Sequence, residues 1–349
     1  MNAIRTTPPR PFDVTTLVPQ LAPLARTATR LHPRPGAPTV HDSSVGGPLL
    51  WPADEPWPYC DEPHDRHASL WILSPDDVRL LRRDRAAAAE RLRHDPQAPT
   101  RTPEELATWQ RLRAGRPWFD GPIPLLPVAQ LYARDVPFPC PPDADLLQVL
   151  WCPFDHEEAA HPKTALFWRS SATVTDVLDA PPEPPIVQHG CYLPEPCLFS
   201  PEQVTEYPHP SELDKELSDQ LDDESRWETI DPARYSAYAD DPGELYLNNL
   251  STTPGWKTGG WTRWSPTDPK PRPCPECGTE QVPLLTIASS EWDGGSETWI
   301  PEEERTAGAP PPLSAQDGNF TEIDITGGNN LQLHACPVSP DHPHIELLQ

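Results

Sequence analysis

Long apolar runs are missing from this chain, and so is an N-terminal signal segment. No stretch of about 18 apolar residues occurs, although a membrane-spanning helix needs that length. The first thirteen residues also lack the apolar centre of a signal peptide. We therefore expect a cytoplasmic protein that has no membrane partner.

Basic residues and methionine are also scarce. The 27 lysines and arginines compare with 53 acidic residues among 349 positions, so the net charge is −26. Nucleic acids and anionic membranes select basic surfaces, and this balance disfavours both as partners. A single methionine beside 13 tryptophans indicates a rigid aromatic core rather than a plastic binding groove.

The motifs of common catalytic sites do not occur. The chain has no Gly-rich phosphate-binding loop, no Gly-x-Ser-x-Gly and no His-Glu-x-x-His. The residue pattern therefore indicates no catalytic residue.

Proline, in contrast, is abundant, with 52 residues. Because proline lacks a backbone N–H donor, it disfavours long helices and central strands, and the chain should be loop-rich with short strands. Eight cysteines in a cytoplasmic protein are better explained as thiols or metal ligands than as disulfides.

Three sequence blocks recur in the same order, which indicates an internal duplication. In each copy a glycine pair is followed by tryptophan at the same offset, and a later Leu-Gln block ends in Cys-Pro. The three pairs of blocks are residues 46–52 with 259–265, 124–130 with 283–289, and 147–153 with 331–337. Two pseudo-repeated, β-rich halves are therefore expected to form one α+β domain.

The predicted organisation has four parts. Residues 1–36 form an N-terminal helix and linker, 37–185 the first half, 186–255 an acidic connecting segment, and 256–349 the second half. A helical hairpin is inserted at residues 75–115, with Ser74 and Thr102 as the expected N-caps. Further helices are predicted at 13–24 and 211–221, and strands at 27–31, 125–131, 146–152, 165–169, 173–177, 284–289, 297–300, 320–325 and 331–335.

Charge is distributed unevenly along the chain. Residues 79–116 carry ten arginines and five acidic residues, whereas residues 195–244 carry fifteen acidic and three basic residues. A solvated helical hairpin is the expected form of the first segment, and a partner-docking arm is the alternative. The acidic segment is expected to be solvated, with internal neutralisation of the hairpin as the alternative.

The strongest chemical signal is Cys274-x-x-Cys277-Gly. Tetrahedral zinc takes four nitrogen or sulfur ligands, usually as two short-spaced pairs that the fold brings together. The second pair is expected from Cys336 and His342. His334, which shares a strand face with Cys336, and His344 are competing ligands.

The duplication predicts an equivalent zinc set in the first half. Its members are Cys60, His64, Cys152 and His156, with His67 as a spare candidate. The alternative is an exposed Cys60 and a Cys152 that packs as a small core residue. Cys140, Cys191 and Cys197 have no counterpart in the other half and are interpreted as ordinary thiols. Since each set supplies four ligands, one or two structural zinc ions are expected, bracing the proline-rich turns.

Several of these residues together resemble the bacterial YwqG-like family, whose function is unknown. The resemblance lies in residues 44–47, 51–52, 128–131, 146–151, 257–260 and 330–333, and it extends over about residues 37–349. It implies a β-rich α+β domain with two similar halves, and it implies no catalytic residue. Family members occur as standalone cytoplasmic proteins and beside toxin or secretion loci. The Cys/His pairs and the arginine-rich insertion depart from the simpler members.

The sequence favours a non-enzymatic, zinc-stabilised protein that binds another protein, for example as the immunity partner of a toxin. An acidic surface suits that role, because it steers towards a basic partner and covers its active site. Two alternatives stay open. One is a zinc-dependent hydrolase with an incomplete first-half site, and the other is a small-ligand-binding module that uses the cleft between the halves.

Overall fold

Short strands build the body of the protein. In this computed structural model, residues 4–64, 71–156, 160–230, 241–305 and 317–349 are described. The strands are β1 Arg26–Arg30, β2 Arg34–Pro35, β3 Ser44–Val45, β4 Tyr59–Cys60, β5 Ile123–Pro124, β6 Leu126–Tyr132, β7 Leu146–Asp155, β8 Pro162–Arg169, β9 Cys197–Leu198, β10 Glu202–Glu206, β11 Lys257–Gly259, β12 Val282–Ile287, β13 Leu331–Ala335 and β14 Ile345–Leu348.

Two six-stranded sheets and a two-stranded pair contain these strands. Sheet 1 has the order β2-β9-β3-β6-β7-β8, sheet 2 has the order β10-β1-β11-β12-β13-β14, and β4 pairs with β5. Neighbouring strands run antiparallel throughout the described ladders. With the helices included, this architecture confirms the predicted β-rich α+β class.

Helices are short outside the inserted hairpin. They are α1 Val14–Leu17, α2 Pro75–His94, α3 Pro103–Leu112, α4 Lys215–Leu221, α5 Glu224–Ile230 and α6 Pro242–Leu245. The predicted hairpin is confirmed as α2 and α3, each of which begins with a capping box at Ser74 or Thr102. None of the helices in the described ranges has the length and apolarity that crossing a membrane requires.

Alternation along the central strands sets the layers of the fold. Leu147, Val149 and Trp151 of β7 face the core between the sheets, where they pack with residues of β12 and β13. Alternate residues, among them Leu150 and Cys152, point to the outer face of sheet 1. Each fully buried large apolar side chain contributes about 1.5–3 kcal/mol relative to its exposed state.

The outer face of sheet 1 is covered by the loop that contains Trp51 and Trp57. The ring centroids of these two side chains lie 4.8 Å apart, and both are buried with Leu150 and Cys152. The corresponding face of sheet 2 is polar, since Gln332 and His334 alternate with the core residues of β13.

An antiparallel ribbon joins the two sheets. β1 pairs with β10 in sheet 2, and the same two chain segments continue into sheet 1, where β2 pairs with β9. His32, between β1 and β2, has a positive φ of 45°, and its ring lies 3.4 Å from both Glu202 and Glu291. Segments expected to be a linker and an acidic connection therefore belong to the sheets.

A buried ion pair fixes β11 and the turn that follows it. Lys257 Nζ donates to Glu206 Oε1 at 2.6 Å and to the Trp261 carbonyl at 2.8 Å. Glu206 Oε2 accepts from Trp261 N at 2.7 Å. A Cβ on Gly260 would lie 2.2 Å from that carboxylate, so this position requires glycine.

Three predicted strands and two predicted helix bounds are wrong. The predicted strands form isolated bridges or a turn instead of pairing along their length. Residues 173–177 contribute an isolated bridge from Val177 to Pro52, and residues 320–325 contribute one from Ile325 to Asn329. Residues Glu297–Trp299 form a 3-10 turn instead of a strand. α1 ends at Leu17, before Pro19, and a 3-10 helix Pro19–Leu24 follows. α4 begins after Asp214 rather than Ser211, because the Asp214 carboxylate accepts from Leu217 N.

We predict that Glu206→Gln destabilises the protein by about 3–5 kcal/mol, because it leaves the Lys257 ammonium buried without a counter-charge. Urea unfolding followed by tryptophan fluorescence measures the loss. Asp219→Asn is the control, since it removes an exposed ion pair with Lys215 at 2.7 Å. That change should cost under about 1 kcal/mol. Equal losses in the two variants would contradict the assigned role of the buried pair.

Candidate metal centres

Cluster 1 consists of Cys60, His64, Cys152 and His156, whose ligand atoms all lie within 4.8 Å of one another. Cys60 ends β4, and Cys152 lies on the outer face of β7. His156 follows the last residue of β7 directly. The strand alternation that buries Trp151 against the other sheet thus turns Cys152 towards the loop carrying Cys60 and His64.

The dimensions of cluster 1 fit a tetrahedral ion. His64 Nε2 lies 3.1 Å from Cys152 Sγ and 3.6 Å from Cys60 Sγ. Cys60 Sγ lies 3.9 Å from His156 Nε2. Zinc distances of about 2.3 Å to sulfur and 2.0–2.1 Å to nitrogen place tetrahedral ligand atoms about 3.5 Å apart. The four atoms therefore have the spacing of one metal's coordination shell.

Glu62 orients His156 towards the centre of the cluster. The His156 Nδ1 lies 2.9 Å from Glu62 Oε2, and Glu62 is also bound by Lys163. A carboxylate on one ring nitrogen leaves the other free as a ligand and raises its basicity. Neither Glu62 nor Lys163 was identified from the sequence. Glu62 stands between Cys60 and His64, but only the fold shows which ligand it contacts.

The pKa values of the two thiols of cluster 1 shift in opposite directions. The hydrogen bond from Cys152, with those from His156 and His64, lowers the pKa of Cys60 to about 2. Burial, together with the Cys60 charge, raises the pKa of Cys152. Two thiolates in a buried cluster repel each other, and a divalent cation removes that repulsion. Metal binding is therefore expected to release the proton held by Cys152.

Cluster 2 consists of Cys274, Cys277, Cys336 and His342, with ligand atoms again within 4.8 Å of one another. A tight turn presents the first two thiols, because Gly278 N donates to the Cys274 carbonyl at 2.8 Å. Gly278 has a φ of 73°, which glycine adopts without strain. Cys336 follows the last residue of β13.

The distances in cluster 2 also match a four-coordinate centre. His342 Nδ1 lies 3.4 Å from Cys274 Sγ and 3.3 Å from Cys336 Sγ. The sulfurs of Cys277 and Cys336 are 3.5 Å apart. Hydrogen bonds from Thr279 lower the pKa of Cys277 to about 6, which favours the thiolate that a metal requires.

The structure brings together all eight side chains that the sequence nominates and separates the competitors. His334 is fully buried and its Nε2 lies 3.1 Å from the Thr262 hydroxyl, and burial lowers the pKa of His334 to about 3. His344 Nε2 lies 2.8 Å from the Thr164 hydroxyl. His67 lies outside the described residues. Cys140, Cys191 and Cys197 are free thiols outside both clusters.

We predict that Cys152→Ser and Cys336→Ser each remove one of two bound metal ions per chain and lower the melting temperature, because metal-binding free energy is also folding free energy. Elemental analysis and thermal unfolding of gently purified protein measure both effects. Cys140→Ser is the matched control, since this thiol donates to the Ala144 carbonyl and belongs to neither cluster. Wild-type protein that carries no metal would refute the assignment.

Similarity to known proteins adds no information about these centres. No protein-family model matches the chain, and no curated protein matches it either. The metal clusters and the fold that positions them are therefore the basis for assigning a function.

Proposed function

We propose that the protein is a non-enzymatic binding protein whose fold is braced by two structural zinc ions. The observation that carries this proposal is the closure of both clusters, each with four ligand atoms at coordination spacing. A catalytic zinc keeps one position open for water or substrate, whereas structural sites are closed. Two or three thiolates also neutralise the ion and weaken its pull on a water molecule.

The ligand sets favour zinc over other ions. Cluster 1 offers two cysteines and two histidines, and cluster 2 offers three cysteines and one histidine. Thiolate and imidazole ligands in a compact tetrahedral arrangement suit zinc, whereas magnesium and calcium select oxygen ligands.

Each ion would hold a turn to the end of a central strand. In cluster 1 it would tie the loop that covers the outer face of sheet 1 to β7. In cluster 2 it would tie the turn at Cys274 to the end of β13. The 52 prolines lack the N–H groups that strand pairing needs. The metal ions would hold the loops in place of that pairing.

The exterior supplies the binding role in this proposal. Outside the hairpin segment 79–116, the chain has 17 basic and 48 acidic residues. A surface of this charge attracts a basic protein and accelerates its association, as an immunity protein does with a toxin. Cytoplasmic location belongs to the same proposal.

We also propose that the two halves arose by duplication, and the ladder registers support this. The β6–β7 ladder is irregular after Pro127, and the β12–β13 ladder is irregular after Pro283. Aligning these two irregularities makes Gly46 equivalent to Gly259, and their φ angles are 60° and 65°. In this alignment Pro283 is equivalent to Pro127. The alignment of Pro283 with Pro124 that the sequence suggested is therefore wrong by three residues.

A second set of contacts recurs at equivalent positions. Gln148 Nε2 donates to the Leu50 carbonyl at 3.0 Å, and Gln332 Nε2 donates to the Arg263 carbonyl at 2.6 Å. In each proposed half, this contact ties the segment after the glycine pair to a central strand, which is β7 in the first half and β13 in the second. The resemblance to the YwqG-like family lies largely in the same glycine pairs and strands. We propose on this basis that the protein belongs to that family.

The proposed halves exchange their first strands. β1, which precedes the first half, lies beside β11 in sheet 2, and β9, which precedes the second half, lies beside β3 in sheet 1. We predict that residues 37–185 expressed alone fail to fold, because sheet 1 then lacks β9. Circular dichroism and thermal unfolding check this, and a cooperatively folded fragment would contradict the exchange.

X-ray absorption at the zinc edge tests the proposed function. We expect two zinc ions per chain, each surrounded by sulfur and nitrogen only. An exchangeable oxygen in the first shell of cluster 1 would overturn the structural assignment and favour a zinc hydrolase.

Capture with the full chain as bait, followed by mass spectrometry, tests the binding role. A basic protein should be retained at low salt and released as salt screens the charges. Retention that does not depend on salt would contradict the acidic surface as the binding face.

A further inference from the structure

A polar crevice of about 190 Å³ lies where strands of sheet 2 end. β12 ends at Ile287, β13 begins at Leu331 and β14 ends at Leu348, and the segments beyond these points contribute to the lining. The lining comes from residues 254–265, 289–293 and 319–330, together with Gln349. Since a water molecule needs about 10–15 Å³ of cavity volume, the crevice has room for a small organic molecule.

Arg263 brings a positive charge to the crevice without a counter-charge in contact with it. Burial lowers the pKa of Arg263, and the attraction of Asp293 and Glu206 offsets only part of that effect. In the described ranges the guanidinium forms no ion pair and no hydrogen bond, and Glu206 is already bound to Lys257 at 2.6 Å. Partly buried N–H donors of this kind need acceptors, which a ligand in the crevice would supply.

A charge at this position is not needed to complete a sheet. In the duplication proposed above, Leu50 is the counterpart of Arg263, since a glutamine of the central strand contacts the carbonyl of each. At the matching end of sheet 1, Leu50 packs with Tyr132 and Leu146 in a buried apolar cluster. The arginine of the second half is therefore explained better by a bound ligand than by packing.

Two carboxylates line the same crevice and keep acceptor oxygens available. Asp293 Oδ1 accepts from the backbone N–H groups of Gly295 and Ser296, both at 3.0 Å. Asp324 Oδ1 accepts from Gly328 N at 2.7 Å. Within the described part of the chain, the Oδ2 atom of each aspartate has no hydrogen-bond donor. Each can therefore accept a hydrogen bond from a ligand.

The combination of these charges selects the class of ligand. A purely anionic molecule would bind Arg263 but would meet two aspartates, and a purely cationic molecule would meet the arginine. Asp293 attracts Arg263 without forming an ion pair with it, so the two groups are separated by a gap that a ligand can bridge. A molecule with a carboxylate and an ammonium group satisfies both signs of charge.

We propose that this crevice binds a small zwitterion, of which free α-amino acids are the expected class. The ligand carboxylate would accept from the Arg263 guanidinium, and the ligand ammonium would donate to Asp293 and Asp324. None of the lining residues belongs to either Cys/His cluster. This binding activity is additional to the proposed role of the acidic exterior.

Isothermal titration calorimetry of the zinc-loaded full chain with each of the standard amino acids tests the site. At least one amino acid should bind saturably, and its dissociation constant should rise at least about tenfold in Arg263→Gln. Asp293→Asn should weaken binding in the same direction, because it removes the charge and keeps the oxygen that accepts in the turn. Acetate and methylamine, with one charge each, should bind at least about tenfold more weakly than the amino acid.

The matched control is Arg83→Gln, which makes the same change at an exposed position outside the crevice and should leave the affinity unchanged. Zinc content and melting temperature show whether each variant is folded, and Asp293→Asn with Asp324→Asn replaces Arg263→Gln if that variant is not. Three results would overturn the proposal: no saturable binding of any amino acid at millimolar concentration, equal affinity in the crevice variants and the control, or acetate or methylamine binding as tightly as the amino acid.

Discussion

The ends of two central strands, β7 and β13, depend on a Cys/His cluster for their attachment to the surrounding loops. A proline-rich chain has few free N–H groups with which to extend its sheets, so its loops cannot be held by backbone ladders alone. Cys152 and Cys336 lie where the strands leave the core, and each meets a turn that supplies further thiol or imidazole groups. Hydrogen bonds from Cys152 and the two histidines lower the pKa of Cys60, whereas burial and the Cys60 thiolate raise the pKa of Cys152.

Buried charges organise the ribbon that joins the two sheets. Glu206 receives the Lys257 ammonium and the backbone of the turn after β11, and His32 lies between Glu202 and Glu291. Burial alone would raise the pKa of Glu291, but His32 and the nearby arginines lower it to about 2. A buried pair is a weak source of net stability, yet losing one partner is costly. Any other pairing of the ribbon strands would leave some of these buried charges without partners. The charges therefore destabilise alternative pairings more than they stabilise the native one.

At the surface, ion pairs attach the inserted hairpin to the body of the protein. The hairpin stays docked because Arg79, Arg82 and Arg85 contact carboxylates of the body. Among the described residues of the acidic segment 195–244, Glu195 alone forms an ion pair with the hairpin, so the two charged segments do not neutralise each other as blocks. These ion pairs neutralise much of the positive charge of the hairpin where it meets the body.

The sequence by itself determined the features that have a short repeat or a short spacing. Period-two alternation placed β6, β7, β12 and β13 within a few residues of their observed bounds, and capping chemistry located the hairpin. Cys-x-x-Cys spacing and the recurring blocks nominated both Cys/His sets. Tertiary structure alone decided that His342 rather than His334 joins cluster 2, because the alternation that puts His334 beside Cys336 also buries it against Thr262. It alone decided the ribbon as well, since two-residue strands such as β2 and β9 carry no periodicity and exist only through partners more than 150 positions away.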